Sequence, residues 1–87
     1  MPIVCEFLGI KVCMFFANCE HNPPHVHIYT SGNKAEVAIS TGEIIKGAIA
    51  DNKTRLVKEF MSSYKNELMD MWNKQEIRRI EKWKIVN

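Results

Sequence analysis

The sequence predicts an α+β fold, in which an antiparallel sheet of about five strands forms a meander and one long C-terminal helix packs on one face of it. Apolar and polar residues alternate through the first half of the chain, as they do in half-buried strands. After residue 50 the apolar residues recur with the spacing of a helix. The 87 residues are enough for one domain, made of a sheet (1–50), a helix (51–75) and a basic tail (76–87).

Short turns separate the predicted strands. Leu8-Gly9 connects the first two strands, and Gly32 and Gly42 mark later turns because glycine tolerates a positive φ. Gly47 lies inside the last strand and indicates a bulge there. Strands joined by such short turns are expected to pair antiparallel with their chain neighbours. The predicted strand segments are residues 3–7, 10–17, 26–29, 35–39 and 43–49.

One amphipathic helix is predicted to follow the sheet. An apolar residue recurs every four positions along this segment, with lysine, glutamate and asparagine on the opposite face. An antiparallel sheet has to cover an apolar face, and this helix is the only predicted element long enough to do so. The apolar stripe consists of Leu56, Phe60, Tyr64, Leu68 and Trp72.

Composition argues against two classes of protein. Hydrophobic residues make up 46% of the chain, which provides a small core and excludes a largely disordered protein. The most apolar N-terminal stretch, residues 3–17, is interrupted by Glu6 and Lys11 and is shorter than the roughly 20 residues that span a bilayer. We therefore expect no membrane partner. The three cysteines lack paired close spacing, which favours reduced thiols and a cytoplasmic location.

Positive charge is concentrated at the end of the chain. The formal net charge of +2 does not by itself indicate a nucleic-acid or membrane partner. After Trp72, however, basic residues outnumber acidic ones, so Arg78 and Arg79 could hold phosphate and Trp83 could stack on a base. A solvated surface with one half-buried tryptophan is the alternative interpretation of this segment.

One unusual run, residues 20–27, contains all three histidines of the chain. Pro23 and Pro24 restrict the backbone and favour a stiff, extended loop that costs little entropy to hold in place. His21 precedes these prolines and could fold back toward the two histidines that follow them. Three imidazoles can therefore converge, and each of them can change protonation near neutral pH.

The two later histidines are expected to share one face of a strand. If a strand begins at His25, then His25 and His27 project from the same face, about 7 Å apart. Val26 and Ile28 would point into the core, and Tyr29 would join the histidines on the other face.

Three interpretations of the histidine cluster remain open. The histidines could be structural, bonded to backbone carbonyls at the rim of the sheet. They could perform general acid–base chemistry, as phosphodiester cleavage requires. Neither of these two interpretations needs a cofactor. In the third, His21, His25 and His27, with Cys19 nearby, bind zinc or another divalent transition metal.

The motif His21-Asn22-Pro23-Pro24-His25-x-His27 resembles the signature of the DUF4160 family, a bacterial and archaeal domain of unknown function. The resemblance covers nearly the whole chain. It extends to Met1-Pro2-Ile3, Gly9-Ile10, Met14-Phe15-Phe16, Thr41-Gly42-Glu43, Gly47 and the segment from Glu67-Leu68 to Trp72.

The sequence departs from the family pattern at three places. Val26 replaces a usual aromatic residue and Phe60 replaces a usual tryptophan, and both changes exchange one apolar side chain for another. Cys19-Glu20 replaces a more typical Asn/Asp pair, but Glu20 keeps a carboxylate that could orient His21.

The resemblance implies that this chain is one of a group of small prokaryotic proteins. These proteins are often encoded beside another small domain, in gene arrangements that look like toxin–antitoxin modules. A cognate small protein encoded nearby, and RNA, are the partners that follow from this resemblance. We therefore hypothesise a toxin–antitoxin-type component in which His25 and His27 form an acid–base pair acting on RNA and His21 assists. Two alternatives stay open: a non-catalytic binding module for a cognate small protein or DNA, and a metal-binding domain.

Overall fold

The computed structural model describes residues 3–16 and 23–80 of the chain. All neighbouring strands of its single five-stranded sheet pair antiparallel, in the order β1-β2-β3-β4-β5. The predicted α+β meander is therefore confirmed. The elements are β1 (Ile3–Phe7), β2 (Ile10–Cys13), β3 (His25–Thr30), β4 (Asn33–Ala38), β5 (Ile44–Ala48), α1 (Asp51–Ser63) and α2 (Lys65–Lys74).

The core lies between one face of the sheet and the two helices. Its largest fully buried side chain is Phe60 of α1, whose ring lies 5.2 Å from that of Phe7 on β1. Leu68 and Met71 continue the buried surface along α2. Because burial of each large apolar side chain stabilises the fold by about 1.5–3 kcal/mol, this layer holds sheet and helices together. The strands contribute Val4, Cys5, Ile10, Val12, Val26, Ile28 and Val37 to the same cluster.

The prediction of one long helix is wrong, because Tyr64 separates two helices. Its backbone (φ −120°, ψ 22°) leaves the helical region, and it follows Ser62 and Ser63, which are poor helix formers. An apolar repeat of four residues also advances about 40° per step around a helix of 3.6 residues per turn. One straight helix would therefore rotate the far end of the stripe away from the sheet. The break allows α2 to direct Leu68 back into the core.

Neither helix is long and apolar enough to cross a bilayer, as far as residues 3–16 and 23–80 are concerned.

The two edges of the sheet differ. At β1, the backbone N–H of Ile80 donates a hydrogen bond of 2.7 Å to the carbonyl of Val4, so the segment after α2 runs along this edge. Arg78 anchors that segment to α2 through an ion pair of 2.7 Å with Asp70, and Asp70 also pairs with Lys74 at 3.3 Å within the helix. At the opposite end of the sheet order, β5 is exposed along most of its length.

The ion pairs around Asp70 affect its titration. Desolvation alone would raise the pKa of this carboxyl group, but hydrogen bonds and attraction from Lys74 and Arg78 outweigh it. The pKa of Asp70 is therefore lowered, and the carboxylate stays ionised at neutral pH.

β5 contains a register shift and a glycine with a positive φ. Glu36 pairs with Lys46 and Val37 pairs with Ile44, so Ile45 is the extra residue of a bulge. The bulge was predicted at Gly47, which lies two residues further along the chain and has φ +79°. A Cβ atom at Gly47 would clash with the Lys34 carbonyl oxygen, so this close approach of β4 and β5 requires glycine.

We expect Gly47→Ala to destabilise the protein more than Gly32→Ala. Both glycines have a φ near 80°, but a Cβ at Gly32 meets no atom within 4 Å. Gly32→Ala should therefore lose only about 1–2 kcal/mol through backbone strain. Gly47→Ala should lose at least about 1 kcal/mol more, because the strands must also separate. Urea denaturation of both variants measures the difference, and equal losses would contradict this account of the bulge.

Candidate functional site

The middle strand of the sheet carries two of the histidines. Val26 and Ile28 are fully buried on the face that the helices cover. Because side chains alternate along a strand, His25, His27 and Tyr29 belong to the opposite face, which we call the outer face. β3 has a neighbour on both sides, so the position of these side chains is fixed by two sets of ladder hydrogen bonds.

Cross-strand pairing brings several ionisable side chains into one row on the outer face. His27 lies opposite Cys13 on β2 and opposite Glu36 on β4. Glu36 in turn lies opposite Lys46 on β5. Residues directly opposite each other on antiparallel strands have Cβ atoms about 4.5–5.5 Å apart, so their side chains interact. The next row along the strands contains, from β2 to β4, Lys11, Tyr29 and Lys34.

A groove of about 360 Å³ opens on this face, and we call it the outer-face groove. It places an imidazole, a carboxylate, a phenol ring and two lysine side chains around one concave surface. The residues around it are His27, Tyr29, Lys34, Ala35, Glu36, Lys46 and Gly47.

His25 is buried at the beginning of β3, with 5% of its surface exposed. Its Nδ1 lies 2.9 Å from the Pro23 carbonyl oxygen. Since a carbonyl only accepts, this hydrogen bond requires the proton on Nδ1. Nε2 is then directed toward Glu36, whose Oε1 lies 3.6 Å away. The indole ring of Trp72, from α2, packs 5.4 Å from the imidazole and links it to the helical layer.

His27 is partly exposed and lies between His25 and the groove. Its ring centre is 5.1 Å from that of His25 and 4.7 Å from that of Phe15, which meets it edge to face. One potential ligand or proton-transfer atom from each of His25, His27 and Glu36 lies within 4.8 Å of the others. We call these three residues the His–His–Glu cluster.

Sequence reasoning missed Glu36, although the hairpin between β3 and β4 contains the necessary signal. The turn at residues 31–32 makes Thr30 and Asn33 the first pair of the hairpin. Counting three residues back from Thr30 and three forward from Asn33 pairs His27 with Glu36. The two-residue turn therefore determines which side chain faces the histidine.

A comparison with models of known protein families identifies the family of this chain. The model of a domain of unknown function, DUF4160, matches residues 9–73, about three quarters of the chain. The chain belongs to the DUF4160 family. The resemblance seen in the sequence is thus confirmed at the level of the family. Searches of the curated proteins and of the solved structures found no match to the chain.

The part of the chain that matches DUF4160 contains the outer-face groove and the cluster beside it, but not the basic segment that follows α2. Arg78 forms an ion pair with Asp70, and Arg79 lies 3.5 Å from Glu6. Neither arginine is among the residues around the groove. In this DUF4160 chain Lys34 and Lys46 border the groove, and the phosphate-binding role of the arginines stays a prediction.

The other predicted site residues fall into two groups. Pro23 and Pro24 precede β3, where the Pro24 carbonyl accepts a hydrogen bond of 2.9 Å from the N–H of Ile39. Tyr29 lies at the groove. The remaining predictions concern Cys19, Glu20, His21 and Trp83, which lie outside the described residues and stay predictions.

Two cysteines of this DUF4160 chain are buried thiols. Burial raises the pKa of Cys13, which lies beside His27, and also that of Cys5 on β1. A raised pKa lowers the fraction of thiolate at any given pH, and the thiolate is the nucleophile. Both thiols are therefore protected from reaction in the native protein.

We expect native Cys5 and Cys13 to react with a disulfide reagent at least about tenfold more slowly than in concentrated urea at the same pH. Cys19 would obscure this result, so the measurement uses the Cys19→Ser variant. Absorbance of the released thiolate gives the rate. Equal rates in the native and unfolded protein would contradict the burial of these thiols.

Proposed function

We propose that the outer-face groove binds RNA and that His27 and Glu36 form an acid–base pair for cleavage of the phosphodiester chain. The observation that carries the proposal is the presence of an imidazole, a carboxylate and two lysines around a single groove. Cleavage by the neighbouring 2′-hydroxyl requires these groups: a base, an acid, and cations that stabilise the charge on phosphate.

In the proposed mechanism Glu36 takes up one proton and His27 gives up one proton. The Glu36 carboxylate takes the proton from the 2′-hydroxyl as its oxygen attacks phosphorus. Protonated His27 gives a proton to the 5′-oxygen as the P–O bond breaks, which leaves a 2′,3′-cyclic phosphate and a free 5′-hydroxyl. DNA lacks the 2′-hydroxyl and is not cleaved by this route.

This assignment modifies the hypothesis that His25 and His27 are the acid–base pair. His25 is buried, whereas His27 and Glu36 both border the groove. We assign His25 the role of a positioning residue, because its Nε2 lies 3.6 Å from Glu36 Oε1. The predicted assistance from His21 remains part of the proposal.

The rest of the groove supports binding of a nucleotide chain. Lys34 and Lys46 are exposed and lie on adjacent strands, and both border the groove with Glu36. Their ammonium groups can neutralise two phosphates of a single strand. Tyr29 offers a ring on which a base can stack, which contributes about 1–3 kcal/mol in single-strand binding proteins. The proposed cellular role is that of a toxin–antitoxin-type component whose activity a cognate small protein controls.

We expect His27→Ala to lower the rate of RNA cleavage by the purified protein at least about 100-fold, because the leaving oxygen loses its acid. Gel electrophoresis of a labelled RNA measures the rate, and the thermal transition of the variant checks its fold. Undiminished cleavage by His27→Ala would contradict the mechanism.

Lys46→Gln should weaken RNA binding and reduce its dependence on salt. Loss of one phosphate contact lowers the slope of log affinity against log salt by about 0.7 for a single strand. Lys58→Gln is the matched control, because this exposed lysine of α1 pairs with Glu43 and does not border the groove. Fluorescence anisotropy at several salt concentrations measures both slopes. Equal slopes for the two variants would place the RNA elsewhere.

The exposed β5 edge favours a second candidate function, a non-catalytic module that binds a cognate small protein. Among residues 3–16 and 23–80, none hydrogen-bonds to the outer edge of β5, whereas the β1 edge receives Ile80. An open edge can accept a further strand from a partner. Ile45 is 45% exposed on this strand and offers an apolar contact.

Ile45→Lys should abolish a complex with the small protein encoded beside this chain, because a charge on an edge strand opposes pairing. His27→Ala should leave that complex unchanged. Size-exclusion chromatography of the co-expressed pair distinguishes the two results. Loss of the complex with His27→Ala alone would move the interface from β5 to the outer face.

A further inference from the structure

We infer that the His–His–Glu cluster binds a single Zn²⁺ ion and that the bound ion blocks the proposed RNA site. The metal site depends only on the placement of His25, His27 and Glu36. The regulatory half of the inference rests on the proposed function, since it requires His27 and Glu36 to be the acid–base pair.

The distances in the cluster are close to those of a zinc site. Zinc bonds to imidazole nitrogen and carboxylate oxygen are about 2.0–2.2 Å long, so two ligand atoms at the tetrahedral angle lie about 3.4 Å apart. His25 Nε2 and Glu36 Oε1 are already 3.6 Å apart. All three ligand atoms lie within 4.8 Å of one another. Glu36 and His27 are only partly buried, so rotation of their side chains can shorten the remaining distances between ligand atoms.

The surroundings of His25 orient it as a metal ligand. Its Nδ1–H is engaged by the Pro23 carbonyl oxygen at 2.9 Å, so the nitrogen directed at Glu36 is Nε2. Ligating histidines almost always donate their other N–H to a carbonyl or carboxylate in this way, which fixes the tautomer and ring orientation. The Trp72 ring, 5.4 Å away, adds an apolar contact to the same imidazole.

The backbone that carries the ligands is rigid. His25 and His27 lie two residues apart on the middle strand, and Glu36 lies directly opposite His27 on β4. Ligands on paired strands need little reorganisation when a metal binds.

The type of ligand favours zinc over magnesium or calcium. Two imidazoles and one carboxylate suit zinc and neighbouring transition metals, whereas magnesium and calcium prefer oxygen ligands alone. Three protein ligands of this kind leave a fourth tetrahedral position for water or a further ligand.

Zinc and RNA cleavage would compete for the same atoms. A zinc ion uses the lone pairs of His27 and Glu36 that the acid–base mechanism needs for proton transfer. Zinc is therefore expected to inhibit cleavage, and a chelator is expected to restore it. The ion acts on this site as a reversible inhibitor.

Binding is tested first, without RNA. The purified protein is treated with a chelator, dialysed and titrated with Co²⁺, whose visible absorption reports tetrahedral coordination, and Zn²⁺ is then added to displace it. Glu36→Gln should weaken Zn²⁺ binding at least about 100-fold, because loss of even an outer hydrogen-bond partner of a ligand costs about 10- to 100-fold. Glu43→Gln is the matched control, since Glu43 pairs with Lys58 away from the cluster. Absence of binding to the wild type, or equal affinities for the two variants, would overturn the metal site.

Cleavage of a labelled RNA is then measured with chelator and with Zn²⁺. Cleavage that appears with chelator and disappears with stoichiometric Zn²⁺ supports the whole inference. Cleavage that zinc leaves unchanged or increases would overturn the regulatory half. If the protein binds zinc but cleaves no RNA under either condition, the proposed function fails and the metal site stands. If it cleaves RNA but binds no zinc, the inference fails and the proposed function stands.

Discussion

The burial of Val26 and Ile28 in the middle strand is the constraint on which the candidate site depends. Both side chains are fully buried between the sheet and the helices. A shift of β3 by one residue would bring His25 and His27 into the core and expose these two apolar side chains, so the register is strongly specified. The histidines therefore face outward because their neighbours are anchored in the core. Packing on the face that the helices cover therefore determines which side chains are available for the proposed chemistry on the outer face.

The helices also contribute to the site, although they cover the other face. Trp72 of α2 packs against His25, and its ring also lies 6.5 Å from that of Phe16. The break at Tyr64 matters here, because Trp72 follows it on α2 and the position of Trp72 depends on the direction in which α2 leaves Tyr64. Packing thus connects the helical layer to His25, and His25 to Glu36. The same chain of contacts would serve either an acid–base pair or a metal ion, since both require side chains held in one orientation.

The sequence predicted the local features of this protein better than the long-range ones. The alternation of apolar and polar residues placed His25 and His27 on one face of a strand. This could be predicted from the local sequence, because successive side chains of any strand point to opposite faces. The position of Glu36 beside the two histidines was missed because it depends on the register of a hairpin rather than on spacing along one strand. The ion pair between Arg78 and Asp70 was not predicted either, since composition shows a basic segment without showing its partners. The helix was predicted without its break, because a repeat of four residues does not reveal where a helix has to change direction.

Binding of nucleotides to the outer face is tested most directly by a titration followed by NMR. The ligand is a short RNA with 2′-O-methyl groups, which can bind but cannot be cleaved. We expect the largest chemical-shift changes at His27, Tyr29, Lys34 and Lys46, because these residues border the outer-face groove. Changes confined to the helices, or none at millimolar RNA, would contradict the account.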